Sequence, residues 1–299
     1  MKSAPFAYHD PRTLDEAIGL LATCQNSKLL AGGQSLVPML NMRFVLADHI
    51  IDLNRVPELR FVRSADDRIE IGAMTAQHQL ERDPLIAREM PIMQDALRHV
   101  GHLQTRSRGT IGGSLCHLDP AAELVGIASL YDATLRIAGP QGRRDIVMSE
   151  WSLGYMMPAL AGDEILTGLS MPIWPQPHGH AFLEFARRHG DFALVGVGCL
   201  LAVADGKIMR AAIALIGIAT APVRLSSGET ALIGEPALDQ SFKAAANEAR
   251  KLVCLADAHV SAEYRQHLAA VLTERALKLA AARAQRDARE GLNAAAHST

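Results

Sequence analysis

Cysteine is scarce and scattered in this chain. The four thiols, Cys24, Cys116, Cys199 and Cys254, form no C-x-x-C pair and no Cys/His spacing used for zinc or iron–sulfur ligation. The spacing predicts dispersed thiols, with metal ligands none. Charge of one sign is missing too. Thirty Lys plus Arg stand against 32 Asp plus Glu, a formal charge of -2, so nothing draws the molecule as a whole towards nucleic acid or an anionic membrane surface. No stretch approaches the ~20 apolar residues of a membrane span. The apolar run from Phe192 to Ala204 stops at Asp205-Gly206-Lys207. The opening MKSAPFAYHD reaches Tyr8, His9 and Asp10 before any run long enough for a signal peptide, and a cytoplasmic location is the expectation.

What the chain has is enough apolar material, 49% over 299 residues, for more than one core. Thr13 and Glu16 form a capping box ahead of Leu14, Ala17, Ile18 and Leu21 at helical spacing. A glycine-broken strand (KLLAGG), a helix start (SLVPMLNMR) and a buried strand (HIIDLN) complete a first unit over residues 1–57. A second unit, 58–177, starts with a hairpin around Asp66-Asp67. It continues with one helix over 84–101, a polar loop through HLQTRSRGTIGGSL, a helix in PAAELVGIASLYDA, a hairpin turning at GPQG, and a strand in DEILTGLSMPI. Pro172, Pro175 and Pro177 mark the next boundary. Residues 178–290 read as an α+β domain: three strands forming a small antiparallel sheet, helices from about Asp239, and a long helix from roughly Ser261 to Arg289. Residues 291–299 read as a flexible tail.

Two glycine pairs share their flanks: AGGQSL at Ala31, Gly32, Gly33, Gln34, Ser35 and Leu36, and TIGGSL at Thr110, Ile111, Gly112, Gly113, Ser114 and Leu115. Adjacent glycines let successive backbone N–H groups converge on one point, which suits an anion. A single pair of this kind is more often a simple turn. Two with like flanks read as two jaws on one group. Neither has the G-x-G-x-x-G spacing or a following Gly-Lys-Ser/Thr, which disfavours a Rossmann dinucleotide site and a P-loop and leaves a diphosphate held between loops of two subdomains.

LLAGGQSLVPMLNMR at 29–43, RGTIGGSLCHLDPAAEL at 108–124 and RRHGDFALVGVG at 187–198 resemble, in family order, the FAD-binding medium subunit of molybdenum hydroxylases. The likeness extends over roughly residues 1–285. The family includes carbon monoxide dehydrogenase-type enzymes and dehydrogenases of aromatic N-heterocycles. The resemblance implies an α+β chain with a p-cresol methylhydroxylase-type FAD-binding fold of two α/β subdomains and a C-terminal α+β domain. It implies noncovalent FAD, with the diphosphate on Ala31–Leu36 and Thr110–Ser114. It assigns Glu123 to FAD hydroxyl groups and Leu166 to flavin contact, and puts an aromatic ring beside the isoalloxazine at Phe192, where relatives often carry tyrosine.

From the residues alone, Glu123 also reads as a first-turn helix carboxylate, Asp119 as that helix's N-cap, Phe192 as core of the C-terminal sheet, and Cys116 as an inert buried thiol. His99, His102, His178 and His180 read as loop or surface histidines, and no catalytic acid, base or nucleophile stands out. By resemblance, the chain is one oxidoreductase subunit of a complex. A small partner carries two 2Fe–2S clusters and a large partner carries a molybdopterin cofactor and oxidises substrate, such as an N-heterocycle. The FAD of this chain passes electrons to an external acceptor, and the assembly is a dimer of heterotrimers. A self-standing FAD oxidase and a non-enzymatic scaffold are the alternatives.

Overall fold

The computed structural model describes the backbone of residues 1–296 and the side chains of residues 1–286. The chain folds as two compact units, each gathered from separate stretches: Met1–Ala87, His102–Leu118 and Asp132–Pro172 in the first, and Arg88–Gly101, Asp119–Tyr131 and the residues from Ile173 onward in the second.

The first unit holds two sheets. In the smaller, strand His49–Asp52 lies between Ala7–His9 and Ser27–Leu30 and is parallel to both. Helix Leu14–Thr23 starts where its sequence predicts, with the Thr13 hydroxyl accepting from the Glu16 amide at 3.2 Å, but the expected box does not close on Thr13: the Glu16 carboxylate accepts from the Arg12 amide, one residue further back, at 2.8 Å. Its Leu14, Ala17 and Leu21 pack with Ile51, while the next residue back, Ile50, packs with Leu40 of helix Leu36–Asn41 in a separate cluster. Alternating strand residues therefore feed two apolar clusters on opposite faces. The larger sheet is antiparallel, in the order Val62–Ala65, Arg68–Gly72, Ile165–Pro172, Thr134–Gly139, Gly142–Val147. Both expected hairpins are present, with Asp66 in the left-handed region at φ 54° and Gly142 at 110°.

Two stretches differ from the sequence reading. The single helix expected over 84–101 is two, Pro84–Glu89 and Pro91–Leu97, because Pro91 has no N–H to donate and disfavours helical geometry at Met90, which sits at φ -139°. The stretch read as a polar loop contains helices Leu103–Arg108 and Ile111–His117. In the second of these, Thr110 caps the start and the glycines lie inside the helix.

The second unit is built on a four-stranded antiparallel sheet in sequence order: Gly179–Ala186, Ala193–Ala204, Lys207–Ile216 and Val223–Arg224. In Ala193–Ala204 the odd residues Val195, Val197, Cys199 and Leu201 share a core with Leu268, Ala269, Leu272 and Ala276 of the long helix. The even ones include Gly196 and Gly198, and a Cβ on Gly198 would stand 3.2 Å from Leu130 of helix Glu123–Leu130. Both faces are thus covered by helices, which explains a strand without polar alternation. Helices Ser226–Leu232 and Asp239–Glu248 follow, the first earlier than expected. The last helix runs Ala262–Ala296, past the Arg289 limit, so the part of the expected tail up to 296 is helical and only 297–299 lie outside the described residues. No described helix is long and apolar enough to cross a membrane.

Candidate functional site

The first glycine loop leaves strand Ser27–Leu30 and turns into helix Leu36–Asn41. Gly33 sits at φ +74°, a conformation that side chains with a Cβ resist, and its carbonyl accepts from the Val37 amide at 3.1 Å. The Ala31 carbonyl accepts from Asn54 Nδ2 at 2.9 Å, and Asn54 is itself held by Asp52 Oδ1 and by Arg60. Gln34 closes the loop with a side-chain bond to the Gly32 carbonyl at 3.2 Å. Ser35 precedes the helix without making a side-chain cap. Among the described residues, no acceptor takes the amide N–H of Gly32, Gly33, Gln34, Ser35 or Leu36. Five consecutive donors left open need water or an anion. That donor set fits the many oxygens of a diphosphate.

The second loop lies against the first. A Cβ on Gly32 would overlap the Arg108 carbonyl, and one on Gly113 would stand 3.5 Å from the Ala31 Cβ. Its amides, however, are used internally. Ile111 donates to the Thr75 carbonyl at 3.1 Å, Gly112 to the Ala73 carbonyl at 2.8 Å, Gly113 to the Thr110 hydroxyl at 3.0 Å, and Ser114 to the Thr110 carbonyl at 3.1 Å. The expectation that this loop also donates several backbone N–H groups is therefore corrected. Gly112 is needed because a Cβ there would sit 2.6 Å from both Ala73 Cβ and the Ala73 carbonyl oxygen. What the loop has left is the Ser114 hydroxyl, which bonds to no other described residue. The buried Trp151 indole donates to the Leu115 carbonyl at 2.9 Å and pins the helix that follows.

Leu166 is buried in the larger sheet opposite Ile137, just before a bulge at Gly168. Burial pushes the Cys116 thiol up to about 12, which keeps it protonated and poorly nucleophilic. In the second unit, Glu123 is the first residue of helix Glu123–Leu130. Burial raises its carboxyl to about 7, and the Asp119 carboxylate adds a smaller upward push. Asp119 is not the N-cap. Its carboxylate accepts from the Ala121 amide at 2.8 Å, and Ala122 occupies the cap without a side-chain bond. Glu184, which the sequence reading passed over, is raised further, to about 8, by burial and then by the Glu123 charge, and its Oε2 is buried without a partner. Phe192 is 67% exposed, so it does not fill the core of the C-terminal sheet.

The structure refines two readings of the histidines. His178 lies in a loop as expected but is buried, with Nδ1 at 3.1 Å from the Pro175 carbonyl, whereas His180 sits in strand Gly179–Ala186, 3.7 Å from Asp95. His9, Cys24 and His49, which no sequence spacing joins, meet in space. His9 Nε2 lies 3.0 Å from His49 Nδ1 and 4.0 Å from Cys24 Sγ. Asn54, Trp151 and these three residues carry no motif, and only their distant partners reveal them.

Residues 4–174 match the family model described as the FAD binding domain in molybdopterin dehydrogenase, and residues 180–280 match the CO dehydrogenase flavoprotein C-terminal domain. The chain is 36% identical over 284 residues to the nicotine 6-hydroxylase medium subunit of Paenarthrobacter nicotinovorans, covering 95% of this chain and all of the relative. It is 33% identical over 280 residues to the carbon monoxide dehydrogenase medium chain of Hydrogenophaga pseudoflava, covering 93% and 98%. Among solved structures, quinoline 2-oxidoreductase from Pseudomonas putida 86 superposes with a TM-score of 0.91 at 33% identity, over 95% of this chain and 99% of that one. With most of its length matched in sequence and in structure, and with an open run of amides at the first glycine pair, the chain belongs to the family of FAD-binding domains of molybdopterin dehydrogenases.

Proposed function

We propose that this chain is the FAD-binding, electron-transferring medium subunit of a molybdenum hydroxylase complex. The observation that carries the reading is the run of five open amides in the first glycine loop, on a chain similar over 95% of its length to a medium subunit. In this reading the two subdomains, 1–57 and 58–177, bind FAD noncovalently and 178–290 forms the third domain. The amides from Gly32 to Leu36 hold the diphosphate, Ala31 and Asn54 hold the loop in shape, and the Ser114 hydroxyl adds a donor from the second loop. Thr110, Ile111, Gly112 and Gly113 fix that loop's position. Glu123 accepts from FAD hydroxyl groups, and Leu166 supplies an apolar contact. The exposed Phe192 ring stacks beside the isoalloxazine and restricts the approach of acceptors without offering it a hydroxyl. Bound in this way, FAD supplies the exchange of electrons between iron–sulfur clusters and an external acceptor.

The partners in this reading are a small subunit with two 2Fe–2S clusters and a large molybdopterin subunit, assembled as a dimer of heterotrimers in the cytoplasm. The large subunit oxidises a small molecule of the N-heterocycle type. The test is twofold. The purified chain should be yellow, with all colour released into the supernatant on acid precipitation, and it should oxidise no organic substrate by itself. Co-purification from the native host should recover an iron–sulfur subunit and a molybdopterin subunit. A colourless chain, or a lone chain that turns over an organic substrate, overturns the reading. Phe192→Tyr and Phe192→Ala should keep FAD yet change the rate of flavin reoxidation by oxygen or dyes.

A further inference from the structure

The three-stranded parallel sheet of the first unit ends in a group of side chains that the FAD reading does not use. His9 closes strand Ala7–His9, His49 opens strand His49–Asp52, and Cys24 is the C-cap residue of helix Leu14–Thr23. In the parallel register Ala7 pairs with His49 and His9 with Ile51, so both imidazoles lie on the face of the sheet that Ile51 presents to that helix. The helix runs across this face and delivers the Cys24 thiol to the two rings. One atom from each side chain, His9 Nε2, His49 Nδ1 and Cys24 Sγ, lies within 4.8 Å of both others. All three residues are half-buried.

We infer that His9, Cys24 and His49 form a binding site for a zinc-type divalent cation, separate from the flavin loops, with a fourth position left to water. The geometry matches the chemistry. A tetrahedral zinc ion with the usual bond lengths separates two imidazole nitrogens by about 3.3 Å and a nitrogen from a thiolate sulfur by about 3.6 Å. Two of the three separations here are 3.0 Å and 4.0 Å, and the third, His49 Nδ1 to Cys24 Sγ, lies within 4.8 Å, so side-chain movements of at most about an ångström reach the ligand set. Without an ion, one ring nitrogen must donate to the other, while the thiol has only a long contact to the same Nε2 atom. With an ion, all three lone pairs converge on one charge. Cys24 binds as the thiolate and gives its proton to solvent, and both imidazoles bind neutral. One thiolate and two imidazoles favour zinc over calcium or magnesium, which take oxygen ligands.

Such a site ties together the first strand, the first helix and the central strand of the small sheet, whose outer strands have only three and four residues. Its effect is to stabilise the platform from which the first glycine loop departs.

The experiment uses the full chain purified with its flavin, stripped with a chelator and re-equilibrated with Zn²⁺ alone. One zinc per chain should remain after gel filtration, measured by atomic emission. In Cys24→Ser and His49→Gln, zinc affinity should fall by more than the roughly 10–100-fold that outer-shell changes cost. Flavin content and the melting temperature of the metal-free variants should match the metal-free parent, which shows that the variants fold. A second measurement needs no variant: Zn²⁺ should slow alkylation of Cys24, mapped by mass spectrometry, and leave Cys116, Cys199 and Cys254 unchanged. Zinc uptake that is absent from the parent, or equal in parent and variants, overturns the proposal, and so does a Cys24 alkylation rate indifferent to Zn²⁺.

Discussion

The two glycine loops look alike in sequence and behave differently in space. In AGGQSL, the amides from Gly32 to Leu36 are open and one glycine, Gly33, takes a left-handed conformation. In TIGGSL, the four amides from Ile111 to Ser114 are all satisfied by Thr75, Ala73 and Thr110, and the glycines lie within a capped helix packed on Ala73. The first loop is a donor surface. The second is a support whose glycines allow close approach of backbone to backbone. A glycine pair is therefore a sign that something must come close, and the hydrogen-bond ledger decides whether that is a ligand or the chain itself.

The sharpest way to break this comparison is Gly32→Ala. The added methyl would overlap the Arg108 carbonyl, and backbone rather than a flexible side chain must give way. Overpacking of this kind costs about 3 kcal/mol or more here, at the upper end of its usual range, and flavin should be lost together with thermal stability. Retention of full flavin at the parent melting temperature would show that the loops are not in contact. Gly33→Ala is milder. Left-handed geometry costs a side chain about 1–2 kcal/mol, and because that strain sits in the donor loop, FAD affinity measured by fluorescence titration should fall by roughly 5- to 30-fold. Thr110→Val tests the support loop. Loss of the helix cap to Gly113 should lower stability by about 1 kcal/mol in thermal unfolding while flavin content stays full. If Thr110→Val loses flavin as readily as Gly33→Ala, the distinction between donor and support collapses.

The smallest effect separates both loops from the carboxylates. Backbone amides do not titrate between pH 5 and 9, so any pH dependence of FAD affinity in that window must come from a group such as Glu123. Burial holds its carboxyl at about 7, against an ordinary value of 4.5. Hydroxyl groups donate best to the ionised form, so affinity should rise as pH rises through about 7, and Glu123→Gln should flatten the profile. The stability of the flavin-free chain should run the other way. The folded state binds the proton more tightly than the unfolded state, so the contribution is full below pH 4.5 and is lost as pH rises through about 7. Glu184 extends the same fall to about 8. Glu184→Gln should remove up to one proton from the slope of stability against pH, measured by denaturant titration at several pH values.

Much of the fold is legible in local pattern. The Thr13 cap on the Glu16 amide, the turns at Asp66-Asp67 and at GPQG, and the uninterrupted apolar strand Ala193–Ala204 each encode an element through contacts a few residues apart. The misreadings have a common cause. HLQTRSRG is polar along its length and TIGGSL is rich in glycine, so local propensity speaks against a helix in both. Tertiary partners decide the matter: the Arg106 guanidinium pairs with Glu81, and the Trp151 indole and the Ala73 carbonyl take or offer the bonds that hold Ile111–His117 in place. Asp119 was legible as a helix-start residue but not as an Asx turn three residues ahead of the N-cap Ala122, because both uses place the same carboxylate on a nearby amide.

By itself the sequence determined the family, the α+β class and the positions of both glycine loops, because these reside in contiguous blocks whose residue types directly state a backbone requirement. Only the tertiary structure decided which loop offers open donors, that Asn54 holds the first one, that Glu123 and Glu184 share a low-polarity setting, and that His9, Cys24 and His49 meet although 15 and 25 residues separate them in turn. The physical reason is the same in each case. A free N–H, a shifted carboxyl or a ligand set is a property of what surrounds an atom, and those surroundings are brought in by strand register and helix packing from parts of the chain that no local spacing connects.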